Sequence, residues 1–379
     1  MLSAYDMHKI SSKLCRILGV KHKPFGGLNM IFAGDFAQLP PIQGKNASLY
    51  GRKIGEDSSA KRSQEQAIGK SLWHQVTTVV ILRENMRQRQ QKNLWYNACT
   101  QKDIAFLESR ASVSDDVFRN VSVITSWNVH KDEANRLGSI HFVNETKDSL
   151  RQVEKLHTDE NANERWNKRK LIHLKTITDE FQHAFWDQPP SSTDLKIPGK
   201  LSLCVGMPVM IRRNSATELG MTKGQESTVY AWQSCKGLRG QRMLDTLFVL
   251  LQNPPSPVQF DGLPLNVVPI VPSKARVCVN LPGNKCTVIT REQVEVLPNF
   301  AMTDYAAQGK TCPFNVVDLH KCKSHQSLYT CLSRSASAAG TIILQGMSEG
   351  MRSKITKGAS GALRQEFREL ELLDEITAL

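Results

Sequence analysis

Apolar and polar positions alternate in blocks along the first third of the chain. Residues 28–32 form a short apolar run that stops at Gly34-Asp35, which is how a buried strand of a parallel sheet passes into a loop. Residues 67–75 carry apolar side chains at helical spacing, and the β-branched run at 77–82 predicts a further strand. Because strands and helices follow one another, the pattern predicts an α/β fold.

The same alternation returns further along the chain. A strand pattern at 121–125 leads into a helix that reaches residue 137. Helical spacing reappears at 301–311 and 326–334, and a strand pattern at 340–344 follows. These stretches predict a second α/β domain.

The pattern changes character between these two blocks. Residues 147–170 are highly charged without strong periodicity, and we expect a solvated excursion there. Residues 189–298 alternate short strands with Gly and Pro, which predicts a small all-β insertion. The tail at 363–379 has Leu and Phe at helical spacing among acidic residues, so it predicts an amphipathic helix. The strands of the insertion are expected at 203–211, 227–232, 246–251 and 286–290.

The charge balance narrows the choice of partners. The 379 residues include 49 Lys+Arg against 36 Asp+Glu, and the formal net charge of +13 favours an anionic partner such as nucleic acid. No apolar run approaches the roughly 18 residues that a membrane helix needs, and the first ten residues lack the order of a signal peptide. Nine cysteines without a Cys-x-x-Cys pair favour a reducing compartment over a disulfide framework. We therefore expect a soluble intracellular protein.

One short stretch of sequence partly resembles a nucleotide-binding motif. Gly309-Lys310-Thr311 ends like a Walker A loop, but Asp304 stands where that motif needs its first Gly. The preceding residues also predict a helix, whereas Walker A is a Gly-rich loop after a strand. We therefore predict that this string is not a Walker A motif.

A second cluster imitates a metal site. Its members are His320, Cys322, His325 and Cys331, and their spacing fits no common zinc pattern. We therefore predict no metal ligands among the residues of this chain.

The most specific string in the chain is Gly34-Asp35-Phe36-Ala37-Gln38-Leu39-Pro40-Pro41. Alone, it would more often be only a loop. Taken with five other stretches in the same order, it resembles superfamily 1 DNA helicases of the petite-integration-frequency (PIF) type, which are close to RecD and to the helicase portion of Helitron transposons. The matching stretches are 25–41, 82–88, 123–135, 203–210 with 214 and 219–224, 301–311 and 324–334.

The resemblance implies RecA-like domains of the P-loop NTPase fold, with ATP bound between two of them and single-stranded DNA lying across both. It gives Gln38 the role of a γ-phosphate sensor, since an amide both donates and accepts hydrogen bonds. It gives Arg87 and Arg334 a place at the γ-phosphate, where a permanently charged planar group suits phosphoryl transfer. The other nucleotide-binding residues that it implies are Gly34, Asp35, Gln308 and Gly309.

DNA contacts are implied at four further positions. Short polar groups bind backbone phosphates without reading the base sequence, which suits a helicase. Trp73, Trp95 and Trp127 are candidates for stacking on bases, although aromatic side chains are more commonly buried. The four implied DNA contacts are Pro40, Asn128, Thr303 and His325.

The family pattern also predicts domain boundaries. The C-terminal part of a first RecA-like domain is expected at 1–118, and the second RecA-like domain at 119–195 and 298–345. A small β-barrel inserted into the second domain is expected at 196–297, and a C-terminal helix and tail at 346–379.

The start of the chain departs from the family pattern. In this family a Walker A loop and an acidic pair precede the stretch that Met1-Leu2-Ser3 resembles. The Lys that holds phosphate, the Ser or Thr that holds Mg²⁺ and the Walker B carboxylates are therefore expected before the first residue. An arginine does not replace a metal site, so the chain is interpreted as a truncated helicase, or as one whose start was assigned to an internal Met, that hydrolyses ATP negligibly by itself.

The sequence as a whole predicts the C-terminal portion of an ATP-dependent DNA helicase. The resemblance implies ATP and Mg²⁺ as cofactors, single-stranded or forked DNA as partner, and 5′ to 3′ unwinding in repair, recombination, telomere maintenance or transposition. A nuclear location is expected, with the mitochondrion as the alternative. Two other interpretations stay open. One is a non-catalytic remnant that binds nucleic acid, and the other is a fragment that needs a separate chain carrying Walker A.

Overall fold

The chain folds into two compact units with both helices and strands, which confirms the α/β class. Unit 1 holds Met1–Val117 and Ala307–Leu379, and unit 2 holds Phe118–Ala306. The computed structural model describes residues 2–42, 47–51, 60–83, 92–111, 118, 121–146, 151–154, 179–193, 195–236, 242–281, 285–337 and 339–379.

The helices and strands of the described residues follow the chain in this order. The helices are α1 (Ala4–Ile17), α2 (Lys61–Trp73), α3 (Lys92–Trp95), α4 (Gln101–Ser109), α5 (Asn128–Thr146), α6 (Asp179–Trp186), α7 (Asp304–Ala307), α8 (His325–Leu332), α9 (Glu349–Thr356) and α10 (Gly361–Ala378). The strands are β1 (Val123–Thr125), β2 (Arg151–Glu154), β3 (Lys200–Leu203), β4 (Pro208–Ile211), β5 (Glu226–Lys236), β6 (Arg242–Leu251), β7 (Val267–Ile270), β8 (Ser273–Leu281), β9 (Lys285–Gln293), β10 (Val296–Pro298), β11 (Ala301–Thr303), β12 (Asn315–Asp318) and β13 (Thr341–Ile343).

Unit 1 begins with two helices that approach each other closely. Ser3 caps α1 through a capping box, because its hydroxyl accepts from the Asp6 N–H while the Asp6 carboxylate accepts from the Ser3 N–H. A methyl group at Gly69 of α2 would lie 1.7 Å from the carbonyl oxygen of Ala4. Glycine is therefore required where α2 crosses the start of α1.

The strands predicted at 28–32 and 77–82 are wrong. Both segments are irregular, and neither pairs with a strand in the part of the chain that the structure describes. In the second segment, side chains of α10 bind the backbone instead. The Val79 N–H donates to Thr377 Oγ1 at 3.0 Å, and the Ile81 N–H donates to Asp374 Oδ1 at 2.7 Å.

The end of unit 1 contains a parallel pair of strands. β12 pairs with β13 in parallel, with Val316 opposite Ile342. Residues 301–311, predicted as one helix, instead form strand β11 and the one-turn helix α7. Helix α8, strand β13 and the amphipathic helix α10 confirm the patterns at 326–334, 340–344 and 363–379.

Unit 2 combines a parallel pair with antiparallel sheets. β1 pairs in parallel with β11, and α5 packs against both. A five-stranded antiparallel sheet has the order β10-β4-β5-β6-β7, and smaller antiparallel pairs join β2 to β3 and β8 to β9. Its core includes Leu247 and Val249 of β6, both fully buried.

The all-β pattern between 189 and 298 is confirmed by these strands, with longer strands than expected at β5 and β6. The stretch 203–211 divides into β3 and β4, because a turn at residues 204–207 separates them. The expected barrel and the four domain boundaries stay predictions. Residues 307–345, which the sequence assigns to the second RecA-like domain, belong to unit 1 in the structure.

Most of the charged stretch at 147–170 lies outside the described residues, and its described part, 151–154, is strand β2. Cys278 is disulfide-bonded, which the expected preference for a reducing compartment did not predict. No helix of the described residues is long and apolar enough to cross a bilayer.

Candidate functional site

In unit 1, the loop at 34–41 is organised around one carboxylate. Asp35 Oδ1 accepts from the Ala37 N–H at 2.9 Å and from Trp95 Nε1 at 2.8 Å. Asp35 Oδ2 accepts from the amide of Gln38 at 3.2 Å. The carboxylate therefore fixes the position of the predicted sensor glutamine, while Gly34 beside it is exposed.

Helix α8 clamps this loop from a second direction. The Leu39 N–H donates to Thr330 Oγ1 at 3.2 Å. One turn earlier in α8, Gln326 Nε2 donates to the Phe36 carbonyl at 2.8 Å and to the Tyr50 hydroxyl at 3.0 Å. Gln326 and Thr330 are four residues apart, so they lie on one face of the helix. Both are buried.

Arg334 lies just after α8 and is 1% exposed. Its Nε donates to the Thr330 carbonyl at 2.9 Å, and Nη2 donates to Ser333 Oγ at 2.7 Å. Nη1 lies 3.4 Å from the Lys310 carbonyl. A cation is favourable here because the last carbonyls of a helix carry partial negative charge. In this structure the predicted arginine finger therefore holds the end of α8 to the loop around Lys310.

The predicted nucleotide-closing residues Gln308 and Gly309 form the turn that follows α7. The Lys310 N–H donates to the Ala307 carbonyl at 3.1 Å, and Gly309 has a φ of +86°. This left-handed conformation suits glycine, and the space around its Cα is open. Gly309 is exposed and Gln308 is half-buried.

Three distant motif stretches thus meet in unit 1, at 34–41, 308–312 and 324–334. We call this group of contacts the α8 cluster. Arg87, the other predicted arginine, lies outside the described residues. Two predicted DNA contacts are buried in unit 1. Pro40 lies in the clamped loop, and the His325 ring donates from Nε2 to the Leu94 carbonyl.

The other two predicted DNA contacts, Asn128 and Thr303, lie in unit 2. Thr125 of β1 lies opposite Thr303 of β11, so the carboxyl ends of these parallel strands share an edge. Asn128 begins α5 directly after β1, and Thr303 Oγ1 accepts from the Ala306 N–H at 3.3 Å. Ligands of α/β proteins bind at such edges, and the arrangement offers polar groups there.

An aromatic surface lies beside Asn128. Trp127 is 41% exposed, and its ring lies 5.8 Å from the ring of His130, centroid to centroid. Trp73 and Trp95 instead pack against aromatic side chains, with Trp73 beside Phe32 and Trp95 beside Phe367. Of the three tryptophans considered for base stacking, Trp127 is the one with an exposed ring.

Some positioning residues were not singled out from the sequence. Asn135 Nδ2 donates to the Ala301 carbonyl at 3.1 Å, and its Oδ1 accepts from the Ala301 N–H at 2.8 Å. This buried amide fixes α5, which begins at Asn128, to β11, which ends at Thr303. Asn128 and Asn135 are seven residues apart, about two helical turns, and that spacing is the signal that would have found it. Gln326 and Thr330 are four residues apart, and that helical spacing would similarly have indicated that they lie on one face of α8.

No group of three or more His, Cys, Asp or Glu side chains in the described ranges is placed to hold a metal ion.

The fold and the motif positions can now be compared with known proteins. Residues 1–104 of the 379 match the family model described as PIF1-like helicase. A search among curated proteins finds no match.

Solved structures match almost the whole chain. The Pif1 helicase from Candida albicans is 17% identical with a TM-score of 0.64, covering 98% of this chain and 74% of that chain. The Pif1 helicase from Bacteroides in complex with ADP-AlF3 and ssDNA is 17% identical with a TM-score of 0.65, covering 98% and 73%. Bacteroides Pif1 bound to ssDNA is 15% identical with a TM-score of 0.61, covering 97% and 72%.

At these identities the likeness is one of fold. The fold is a mixed α/β fold with parallel strand pairs. Within that class it is similar to the Pif1 helicases, and the match of residues 1–104 is to the same group, so the resemblance to PIF-type helicases is confirmed.

Proposed function

We propose that this chain acts as a DNA helicase of the PIF1-like type, or as the larger part of one. The observation that carries the proposal is the α8 cluster, in which Gln38, the turn at Gly309 and Arg334 are joined through one helix. A nucleotide sensor needs such a connection, because a change at a phosphate must move protein groups that are far apart in sequence.

In this proposal Gln38 and Arg334 respond to the terminal phosphate of ATP, and unit 2 binds single-stranded DNA at the edge formed by Asn128 and Thr303. ATP and Mg²⁺ are the expected cofactors. A Bacteroides relative was solved with ADP-AlF3 and ssDNA, which supports both ligands as candidates for this chain. We further propose 5′ to 3′ unwinding of forked DNA, a role in DNA repair, recombination or telomere maintenance, and a nuclear location.

The DNA arm is tested by fluorescence anisotropy with a labelled oligo-dT of about 20 nucleotides. We expect binding that weakens with salt, because backbone contacts release counterions. Asn128→Ala should weaken binding about fivefold, the value of one hydrogen bond of roughly 1 kcal/mol. Asn144→Ala, an exposed asparagine later in α5, is the matched control and should leave affinity unchanged. A wild-type chain that binds no single-stranded DNA at low salt would overturn the proposal.

The nucleotide arm is tested by ATP hydrolysis with and without DNA. The 379 residues contain no Gly-x-x-x-x-Gly-Lys-Ser/Thr string, so we expect negligible hydrolysis by this polypeptide alone. A DNA-stimulated rate that Arg334→Ala abolishes would instead show a complete site within it. DNA binding without hydrolysis fits two alternatives, a non-catalytic binding protein and a fragment that needs a second chain. Recovery of hydrolysis on adding a polypeptide with a Walker A loop distinguishes them.

A further inference from the structure

In unit 2, Lys196 lies in a loop and has an unusual backbone conformation. Its φ is +54°, in the left-handed region that residues with a Cβ rarely adopt. The carbonyls on either side of it are held by arginines. The Leu195 carbonyl accepts from Arg212 Nη2 at 2.6 Å, and the Ile197 carbonyl accepts from Arg291 Nη1 at 2.5 Å. Strain that a structure maintains in this way is a recurrent feature of binding sites.

Several positive charges surround Lys196. Partial burial lowers the pKa of Lys196, and the charges of Lys131, Arg212 and Lys223 lower it further, against the opposing effect of Asp132. Burial likewise lowers the pKa of Arg212. These four cations come from three different parts of the unit, namely α5, the loop before β3 and the stretch between β4 and β5. The loop thus lies in a region of concentrated positive charge.

Two carboxylates of the described residues near this loop, Asp132 and Glu295, have other partners. Asp132 Oδ1 lies 2.6 Å from Lys131 Nζ, and its Oδ2 accepts from the Ser191 N–H at 2.8 Å. Glu295 Oε1 accepts from Arg213 Nη1 at 3.1 Å and from Ser273 Oγ at 2.6 Å. Neither carboxylate forms an ion pair with Lys196 or Arg212 among the described contacts. The charges of Glu295 and Asp132 partly oppose the lowering of the Arg212 pKa, but neither carboxylate supplies a hydrogen bond to Arg212 Nη1.

Arg212 supplies an unused donor. Its Nη1 is buried and has no hydrogen-bond partner in the part of the chain that the structure describes. A buried donor without a partner is destabilising, and more so when the group is charged. An anion beside Lys196 would relieve both this cost and the mutual repulsion of the cations.

We propose that Lys196, Arg212 and Lys223 form a phosphate-binding site that holds the backbone of a nucleic acid. Guanidinium and ammonium groups together suit a phosphate diester, since the first gives directed hydrogen bonds and the second a compact charge. This inference rests on the proposed function for the choice of nucleic acid over a free phosphate.

The neighbourhood supports a nucleic acid as the source of the phosphate. The Lys131 backbone N–H donates to the Trp127 carbonyl at 3.0 Å, so this lysine, whose charge acts on Lys196, belongs to the first turn of α5. Exposed Trp127 and the polar Asn128 stand at that start. Stacking on an aromatic ring beside a positively charged surface is the usual way of holding single strands.

The test uses the full chain and the double variant Lys196→Gln/Lys223→Gln. Both lysines are exposed, so the variant is expected to fold, which circular dichroism and thermal unfolding would verify. Lys236→Gln/Lys274→Gln is the matched control, since it removes two exposed charges of unit 2 that do not act on Lys196. The probes are labelled oligo-dT of about 20 nucleotides and inorganic tripolyphosphate.

For each lysine replaced, the slope of log K against log salt for oligo-dT should become shallower by about 0.7. At about 0.1 M salt this corresponds to roughly fivefold weaker binding per lysine. The control should keep the wild-type slope. Tripolyphosphate should bind the wild type and the control but not the double variant.

The outcomes separate this site from the proposed function. If the wild type binds oligo-dT and the double variant keeps its affinity and slope, the phosphate site is wrong and the helicase proposal stands. If tripolyphosphate binds at these lysines but oligo-dT does not bind the chain, the anion site stands and its assignment to nucleic acid fails with the proposed function. If neither probe binds, both are overturned.

Discussion

The two units satisfy the hydrogen bonds of their extended segments in different ways. In unit 2, β6 pairs on one side with β5 and on the other with β7, so its backbone is bound along both edges. In unit 1, the segment at 76–83 has no strand partner in the described ranges, and Thr377 and Asp374 of α10 bind two of its N–H groups. Neighbouring strands in unit 2 and side chains of α10 in unit 1 therefore both supply hydrogen-bond partners for backbone groups.

The two units also differ in how far these segments bury their apolar side chains. Leu247 and Val249 of β6 are 0% exposed, whereas Ile31 and Leu82 of unit 1 are 94% and 89% exposed. Burial of apolar surface is the main source of stability, and local opening is easiest where few buried contacts must break. A helix can therefore accept hydrogen bonds from an extended segment while leaving the apolar side chains of that segment exposed.

Amide hydrogen exchange gives the largest expected effect. After correction for intrinsic rates, the Val79 and Ile81 amides should exchange at least about a hundredfold faster than those of Leu247 and Val249, because opening free energies span from near zero to the global value. Limited proteolysis gives a second measurement. Its first cuts should fall within the segment at 76–83 of unit 1. Equal protection of the two segments would remove the contrast between the units.

Within unit 1, we expect the hydrogen bonds of the α8 cluster to contribute more to the free energy of unfolding than those of the segment at 76–83. Thr330→Val removes the hydroxyl that accepts from the buried Leu39 N–H while keeping the side-chain shape. We expect a loss of about 1–2 kcal/mol in the free energy of unfolding, the cost of a buried donor left unpaired. Urea denaturation measures it.

Thr356→Val in α9 is the control for this change, since Thr356 is exposed and its hydroxyl bonds only within its own helix turn. It should change stability by less than about 0.5 kcal/mol, as surface substitutions usually do. A Thr330→Val chain as stable as this control would show that α8 does not hold the loop.

The sequence predicted those parts of the fold whose pattern is local. Helices α5, α8 and α10 follow from their periodicity, and the strands of the insertion from the short β-rich runs between turns. The runs at 28–32 and 77–82 have equally good β composition, but a strand also needs a partner, and composition does not report one. Residues 301–303 were mistaken for helix because three residues are too few to show a period of two.

The residues of the candidate site were likewise predicted only in part from the sequence. Asn128 and Thr303 were found through motifs, and the pairing of β1 with β11 brings them to one edge. Lys196 was not found, because its place depends on a left-handed turn and on Arg212, 16 residues away in sequence. Such a site arises from tertiary contacts between loops, which no local pattern encodes.

The contact between α10 and Trp73 allows a finer test of how firmly a helix holds unit 1. Glu366 of α10 is 5% exposed and accepts from Trp73 Nε1 at 2.7 Å. Burial raises the pKa of Glu366, an effect that the hydrogen bond from Trp73 partly opposes. An acid whose pKa is higher in the folded state stabilises the fold when protonated, below its unfolded pKa. That contribution is lost as the pH rises through the folded pKa.

Glu366→Gln should therefore make the chain slightly more stable at neutral pH, by less than about 1 kcal/mol, because glutamine keeps an acceptor for Trp73 and never ionises. The gain should shrink as the pH falls towards about 4, where a glutamate in an unfolded chain becomes protonated. Thermal unfolding between neutral pH and pH 4 measures the difference, and Glu375→Gln, on the exposed side of α10, should show no such trend. A Glu366→Gln chain that is less stable at every pH would mean that the ionised carboxylate strengthens this contact, and that α10 holds unit 1 by charge rather than by burial.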